Sequence, residues 1–315
     1  MASDRIKVLY VAGWGRSGST VLSTILGQLD GFFSAGEVHQ IWNNGLLDNE
    51  PCGCGTLFSE CQVWQAVFEE AYGGFGQINP NRMIQCQDQN VRIRQIPRIA
   101  LSRIKTSFPR DYIDSLDNLY TAIHKVTRSR VIVDSSKDSV YGQVLECLPS
   151  IDVYVLHLVR DPRAVAFSWQ RKKHKIPGYH KLFSQKSPVQ SSLKWFLVNW
   201  SIQTLQRRTK QMYMRIRYED VISQPSTVVA NILRFVGEES SNLPFQNGRE
   251  LELDVNHMIA GNPMRFQRGK LELLPDIEWM SRLRKRDKVL VTLLTWPMLI
   301  KYKYWDNRYR QKVLG

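Results

Sequence analysis

The sequence predicts an α/β fold: a P-loop-like, three-layer architecture with a mostly parallel central sheet flanked by helices. Three observations carry that expectation. Short apolar runs rich in β-branched residues recur at 6–12, 130–134, 151–159 and 212–217, each with the signature of a buried strand. Segments with helical apolar spacing lie between them, and strands alternating with helices build a parallel sheet covered on both faces. The first run also ends in a glycine-rich turn that leads directly into a helix, a geometry that aims backbone N–H groups at one anion.

That turn is the most informative stretch. Gly13-Trp14-Gly15-Arg16-Ser17-Gly18-Ser19-Thr20 nearly spells the Walker A pattern, G-x-x-x-x-G-K-[ST]. Ser19 stands where the lysine belongs, and Arg16 sits inside the loop instead. The charge that reaches the β- and γ-phosphates of a nucleoside triphosphate is therefore missing. The loop suits a 5′-phosphate better than a triphosphate. A glycine-rich turn with no ligand is the competing reading.

Composition narrows the partners. At 315 residues the chain can bury a substantial core. A formal charge of +14 implies an anionic partner. Nucleic acid is not expected, because no basic block is interleaved with aromatics. No apolar leader precedes the first strand, and no run reaches the length of a membrane span; the longest, Val289 to Ile300, contains Pro297 and reads as a buried or interfacial helix end. A cytoplasmic chain without a transmembrane segment is expected. Of five cysteines, three fall in Cys52-Gly53-Cys54 and Cys61. A zinc site would need a fourth ligand from outside this cluster, His39 or Cys86 being candidates. A disulfide would need an oxidising compartment, so reduced structural cysteines are the favoured reading.

Taken in order, Ser34 to Trp42 is a polar–apolar mix after a Gly-Phe-Phe turn, and 43–62, rich in Gly, Asn and Cys, reads as loop. Residues 63–72 and 110–127 have helical spacing, separated by a basic stretch with Arg82, Arg92, Arg94, Arg98 and Arg103. The whole region at about 43–127 is expected to be a helical and loop insertion in a single domain spanning 1–315, forming a lid or substrate wall. Arg130 to Lys137 and Ile151 to Val159 are strands, and Pro162 opens a helix to about Lys173. A long helix over 189–209, a strand over 212–217 and a helix over 226–236 closed by Gly237 complete the pattern. Ligands of such sheets sit beyond the C-terminal strand ends, where the 13–20 loop, Lys137 and Arg160 all fall.

These segments, in this order, resemble the sulfotransferases that use 3′-phosphoadenosine 5′-phosphosulfate (PAPS), in particular the bacterial-type and tyrosylprotein-like branch. Gly15-Arg16-Ser17-Gly18-Ser19-Thr20 resembles that family's 5′-phosphosulfate loop. Val155 to Arg163, followed by Ser168, is similar to its 3′-phosphate strand and helix. Arg217-Tyr218-Glu219-Asp220 resembles a third block, which places Tyr218 among the nucleotide contacts. His257 with Gly261-Asn262-Pro263-Met264-Arg265-Phe266 and Gly269 is similar to the loop that closes over the nucleotide. The resemblance spans about residues 8–280.

The chemistry implied is sulfuryl transfer from PAPS to a hydroxyl of a small-molecule, carbohydrate or lipid acceptor, with adenosine 3′,5′-bisphosphate as the product. The charge slightly favours an anionic acceptor, and the oligomeric state is left open. Like phosphoryl transfer, this in-line displacement needs positioning, charge neutralisation and a base, so no metal is required. Arg160 and Ser168, eight residues apart, can converge on the 3′-phosphate. Arg265, Arg268, Gly269 and Lys270 are further candidates to clasp it. Trp14 is a candidate to lie under the adenine or the acceptor, or simply to be buried. Arg16 and Lys137 would neutralise charge at the sulfuryl group, and Glu37 would take the acceptor proton, as a glutamate at this distance does in tyrosylprotein-like members. His39 is the rival base. Two readings from other classes stay open. One is a P-loop nucleotide kinase with Asp134 as its magnesium carboxylate; the other is a non-catalytic nucleotide- or polyanion-binding protein.

Overall fold

The computed structural model describes residues 5–91, 108–171, 185–206, 212–239 and 243–305. β1 (Ile6–Ala12) is the axis of the molecule. Its side chains alternate between two cores. Val8, Tyr10 and Ala12 face one, and Leu9 and Val11 face the other, as the two-residue period of a strand requires. Each fully buried Val or Leu contributes about 1.5–3 kcal/mol, so both faces of the strand hold it at the centre.

The chain continues into α1 (Ser19–Leu26), whose Leu22, Ile25 and Leu26 pack into the second core. β2 (Phe32–Gly36) follows. A wide π-type turn over Ile41–Leu47 leads through the cysteine loop to α2 (Gln62–Tyr72). α3 (Pro80–Asn90) is capped by Asn79, which accepts from the Asn81 and Arg82 N–H groups. α4 (Arg110–Thr127) pairs with α2, and Trp64, Phe68, Tyr112, Leu116 and Tyr120 join the first core. β3 (Val131–Lys137) runs into α5 (Ser139–Leu145), capped by Asp138. β4 (Ile151–Val159) runs into α6 (Pro162–Gln170), where Asp161 accepts from the Arg163 N–H and Pro162 occupies the first turn. α7 (Pro188–Gln206), β5 (Tyr213–Arg217), α8 (Tyr218–Ser223) and α9 (Pro225–Phe235) follow. β6 (Phe245–Gln246), β7 (Glu250–Leu253) and β8 (Gly269–Glu272) form a small antiparallel sheet. α10 (Glu278–Arg282) and α11 (Lys285–Lys301) end the described chain.

The main sheet has the order β2-β3-β1-β4-β5, every neighbouring pair parallel. The α/β expectation therefore holds. α1 carries the chain from β1 toward β2 and β3, whereas β4 and β5 add on the other side of β1. The order reverses between β1 and β4, and the crevice at such a reversal is where ligands of open α/β sheets bind.

Several elements differ from the sequence reading. Residues 32–36, read as a turn and a mixed segment, are edge strand β2. Gly269 and Lys270, read as loop, belong to β8. α5 and α8 are short helices absent from the sequence expectation. α11 continues through Pro297. It buries Val291, Thr295, Met298 and Leu299, while Val289, Leu293, Trp296 and Ile300 stand exposed. Arg92, Arg94, Arg98 and Arg103, and the predicted helix ends at 172–173 and 207–209, lie outside the described residues.

Candidate active site

At the C-terminal edge of the main sheet lies a cleft of about 430 Å³, a size suited to a small ligand. The strand order sets out its walls in a row. Glu37 follows β2, Lys137 ends β3, the 13–18 loop follows β1, Arg160 follows β4 and Tyr218 follows β5. Neighbouring strands are ~4.8 Å apart. The loop is thus one strand from Lys137 and one from Arg160, with Glu37 one strand further out.

The loop is shaped by close contacts. Gly18 has φ +90°, and a Cβ there would come within 2.2 Å of the Tyr218 ring, so only glycine fits. The Ser17 hydroxyl and N–H both donate to the Trp14 carbonyl, closing the turn on itself. α1 then begins with no side-chain cap, and its first residues, Ser19 and Thr20, line the cleft. Arg16 lies with its guanidinium 4.9 Å from the Trp169 ring centroid. Arg16 and Lys137 are both non-glycine residues in the left-handed region, at φ +70° and +69°. Such conformations cost about 1–3 kcal/mol and cluster at functional sites. At Lys137 the cause is visible: the β1–β3 register slips between Tyr10 and Ala12, and a bulge of this kind re-aims the side chain that follows it.

Arg160 is 6% exposed and held from three sides. Its Nη1 donates to the Arg16 carbonyl at 3.0 Å, its Nη2 to Asp276 at 2.7 Å, and its guanidinium stacks 4.4 Å from the Tyr218 ring centroid. Its Nε is buried and has no hydrogen-bond partner among the described residues, a state that calls for an acceptor. Ser168, two turns into α6, faces the same cleft. An orphaned arginine donor and an uncapped helix N-terminus fit a ligand with two separated anionic groups.

Glu37 and Lys137 form an ion pair, Nζ donating to Oε1, with side chains only 16% and 17% exposed. The Glu37 N–H donates to the Ile259 carbonyl at 2.8 Å, which fixes the residue against the cleft wall formed by Ala260, Gly261 and Asn262. His39 is not among the residues lining the cleft. Its ring contacts Gln40 and Tyr141, and burial lowers its pKa while the nearby Glu37 opposes that shift. Of the two candidate bases, geometry brings only Glu37 to the loop.

Other candidates fall elsewhere. Arg265 is fully buried and donates to the carbonyls of Gly261 and Pro51, each at 3.1 Å; it braces the wall from behind. Arg268 donates to the Cys54 carbonyl, and Gly269 and Lys270 pair with β7. None of these four lines the cleft; backbone carbonyls and a sheet ladder engage the segment. Trp14 packs on Trp169 at 5.8 Å without lining the cleft. Asp134, the carboxylate of the kinase reading, is fully buried and accepts from the Tyr120 hydroxyl at 2.5 Å and the Ser136 N–H at 2.8 Å. Burial pushes its pKa up to about 6, and it has no face on the cleft. Sequence reasoning missed Gln40, Asn44 and Trp169 as lining residues, and Asp276 as the partner of Arg160. Nothing in their local sequence marks them, since long-range packing brings each one in.

The chain is similar to several known proteins. A 102-residue stretch is 30% identical to mouse (Mus musculus) carbohydrate sulfotransferase 4, covering 28% of this chain and 26% of that protein. The match therefore spans about a quarter of the curated relative's length. Among solved structures, the sulfotransferase domain of the Synechococcus PCC 7002 olefin synthase is 18% identical, with 92% of this chain and 95% of that one covered at a TM-score of 0.49. The sulfotransferase domain from the curacin biosynthetic pathway is 15% identical, with coverages of 94% and 99% and the same TM-score of 0.49. The sequence model of the sulfotransferase family matches residues 9–242, and the chain belongs to that family.

Proposed function

We propose that this protein transfers the sulfuryl group of PAPS to a hydroxyl acceptor and releases adenosine 3′,5′-bisphosphate. The observation that carries the reading is the order of groups along the sheet edge: Glu37 and Lys137 on one side of the 13–18 loop, Arg160 on the other. When bound, PAPS supplies the sulfuryl group and a phosphate leaving group. The loop N–H groups, the start of α1 and Arg16 hold the 5′-phosphosulfate. Arg160, Ser168 and Tyr218 hold the 3′-phosphate. Lys137 neutralises charge at the sulfuryl group, and Glu37 accepts the proton of the attacking hydroxyl. The acceptor approaches from the β2 side, because the nucleoside lies toward β4. The name of the mouse relative makes carbohydrates the first acceptor class to screen, beside lipids and small molecules, and the +14 charge favours anionic members of each.

The test has two stages. Thermal-shift titration with adenosine 3′,5′-bisphosphate should stabilise the chain, whereas ATP with magnesium should not. Transfer of radiolabelled sulfate from PAPS across a panel of hydroxyl acceptors then reads the chemistry. Stabilisation by ATP–magnesium alone would favour a kinase. Tight bisphosphate binding with no transfer to any acceptor would leave a non-catalytic nucleotide binder.

A further inference from the structure

The cysteine cluster has a use that the transfer chemistry does not call for. Cys52, Cys54, Cys61 and His257 come together with one ligand atom each, all within 4.8 Å of one another. The fourth member is neither His39 nor Cys86, the candidates the sequence offered, but a histidine 196 residues beyond Cys61.

Local structure aims these groups at one point. The Cys52 N–H donates to Thr56 and the Gly55 N–H returns to Cys52. With the Pro51–Leu57 bridge, these bonds make a tight knuckle that presents Cys52 and Cys54 together. Gly53 lies directly on the segment carrying the histidine: its N–H donates to Met258 at 3.0 Å, and a Cβ there would come within 2.0 Å of Asn256 Oδ1. Cys61 sits at the residue before α2. The histidine is fixed from its own backbone, since the Trp64 indole donates to the His257 carbonyl at 2.9 Å and Asn256 Oδ1 accepts from the Met258 N–H. His257 Nδ1 then faces Cys61 Sγ at 3.3 Å and Cys52 Sγ at 3.9 Å.

These distances have a standard to meet. With Zn–S near 2.3 Å and Zn–N near 2.0–2.1 Å, a tetrahedron places sulfur and nitrogen ligands about 3.5 Å apart. The two S···N separations straddle that value. All three cysteines are free thiols, so a disulfide does not explain the convergence.

We propose that Cys52, Cys54, Cys61 and His257 form a closed, structural Cys3His site for one Zn2+ ion. Four protein ligands leave no open position for substrate, so the ion acts on the fold. Three thiols release their protons to solvent as they become thiolate ligands, and His257 binds through neutral Nδ1. What the ion staples is specific. His257 lies three residues before Ala260, which with Gly261 and Asn262 lines the cleft, and the intervening Ile259 bridges Gly36 and accepts from the Glu37 N–H. Zinc thereby ties the 52–61 loop to the wall that positions Glu37.

The inference does not rest on the donor, and its test reads metal alone. The full chain, purified with a thiol reductant and without chelator, should contain about one zinc per chain by elemental mass spectrometry. Chelated protein refilled with Co2+ should show thiolate-to-cobalt charge transfer and the intense visible bands of a tetrahedral site. Cys54→Ser, at a half-buried position, should lose most of the zinc, and chelation should lower the parent's Tm. A parent that carries no zinc and takes up neither Zn2+ nor Co2+ when reduced overturns the proposal; so does a disulfide among the three cysteines in place of metal, or a folded Cys54→Ser that keeps its full zinc. Zinc in a chain inactive with PAPS would sink the proposed function alone, and transfer from PAPS by a reduced parent that takes up neither Zn2+ nor Co2+ would sink this inference alone.

Discussion

Asp276 is the most exacting test of the nucleotide assignment, because it sits where the 3′-phosphate would draw on Arg160. Its carboxylate accepts from Arg160 Nη2 at 2.7 Å, with side-chain exposures of 30% and 8% for the two partners. A phosphate arriving on the same guanidinium would lie roughly 6 Å from that carboxylate, about two hydrogen-bond lengths across the fork. Two like charges at that distance and an effective dielectric of about 20 repel by about 3 kcal/mol. Discounting for the partial exposure of Asp276 leaves about 1–2 kcal/mol. Asp276→Asn keeps an acceptor for Arg160 but removes the charge. It should therefore tighten adenosine 3′,5′-bisphosphate by about 5- to 30-fold. Adenosine 5′-phosphate, which lacks the 3′ group, should change by less than about two-fold. Arg160→Ala should act in the opposite direction, weakening the bisphosphate by about 10- to 150-fold, the equivalent of 1.5–3 kcal/mol for a charge-assisted contact. Calorimetric titration of both nucleotides at low and high salt measures all of this, and the Asp276 effect should shrink as salt rises. If Asp276→Asn weakens the bisphosphate as Arg160→Ala does, the carboxylate is a positioning group and the competition argument is wrong. Equal losses for both nucleotides in Arg160→Ala would remove the 3′ site from this end of the cleft.

Glu37→Gln should lower the transfer rate by about 10²–10⁴ with nucleotide affinity nearly intact, while His39→Gln stays within a few-fold of the parent; the reverse ranking in a rate assay would hand the role to the histidine. Arg265→Ala should lower Tm and weaken both nucleotides alike, because its fully buried guanidinium holds the Gly261 and Pro51 carbonyls; selective loss of the bisphosphate would place it at the 3′ site. Glu219 is half-buried, and desolvation, reinforced by Asp161, pushes its pKa up to about 7 from an ordinary 4.5, against the opposing pull of Arg160. The folded state thus holds a proton that the unfolded state has lost between those values, so this residue's contribution to stability falls as pH rises from 4.5 through 7, by about 3 kcal/mol in all. Glu219→Gln should accordingly raise Tm relative to the parent more at pH 8 than at pH 5, and denaturation scans showing the opposite trend would refute the sign. Gly18→Ala should destabilise the loop and abolish bisphosphate binding, since its Cβ would meet Tyr218 at 2.2 Å; retained affinity would show that the loop relaxes without cost.

The parts of this molecule legible in the sequence are those written in local pattern. β1, β3, β4 and the helices at 62–72 and 110–127 announce themselves by runs and spacing, and the Gly15–Thr20 loop by its residues. β2 escaped because Phe32–Gly36 mixes two aromatics with Ser, Ala and Gly and contains no β-branched residue. Yet Glu37 directly follows that strand, so its place at the sheet edge is set by a strand pairing that local pattern does not show. The basic residues at 265–270 show what local pattern leaves out. Charge and position in the closing loop make them candidates to clasp a phosphate, whereas burial and register decide what each side chain faces, and Arg265 donates to carbonyls. His257 was noticed for its neighbours in the closing loop rather than for the cysteines, because its partners lie some 200 residues away and only tertiary packing joins them.

The strand order has a consequence for how such a protein diversifies. A five-strand parallel ladder is a stiff ruler, and the proposed donor and acceptor functions are marked at different graduations on it. Arg160 and the loop hang from the two interior strands β4 and β1, each hydrogen-bonded on both sides. Glu37 hangs from β2, an edge strand with one neighbour in that sheet, and the chain beyond it wanders through nearly a hundred residues before rejoining as β3. On that proposed assignment, changes in the excursion would reshape the acceptor end without disturbing the interior pairings that hold the nucleotide end. One donor can then serve many acceptors through revisions confined to a margin of the sheet.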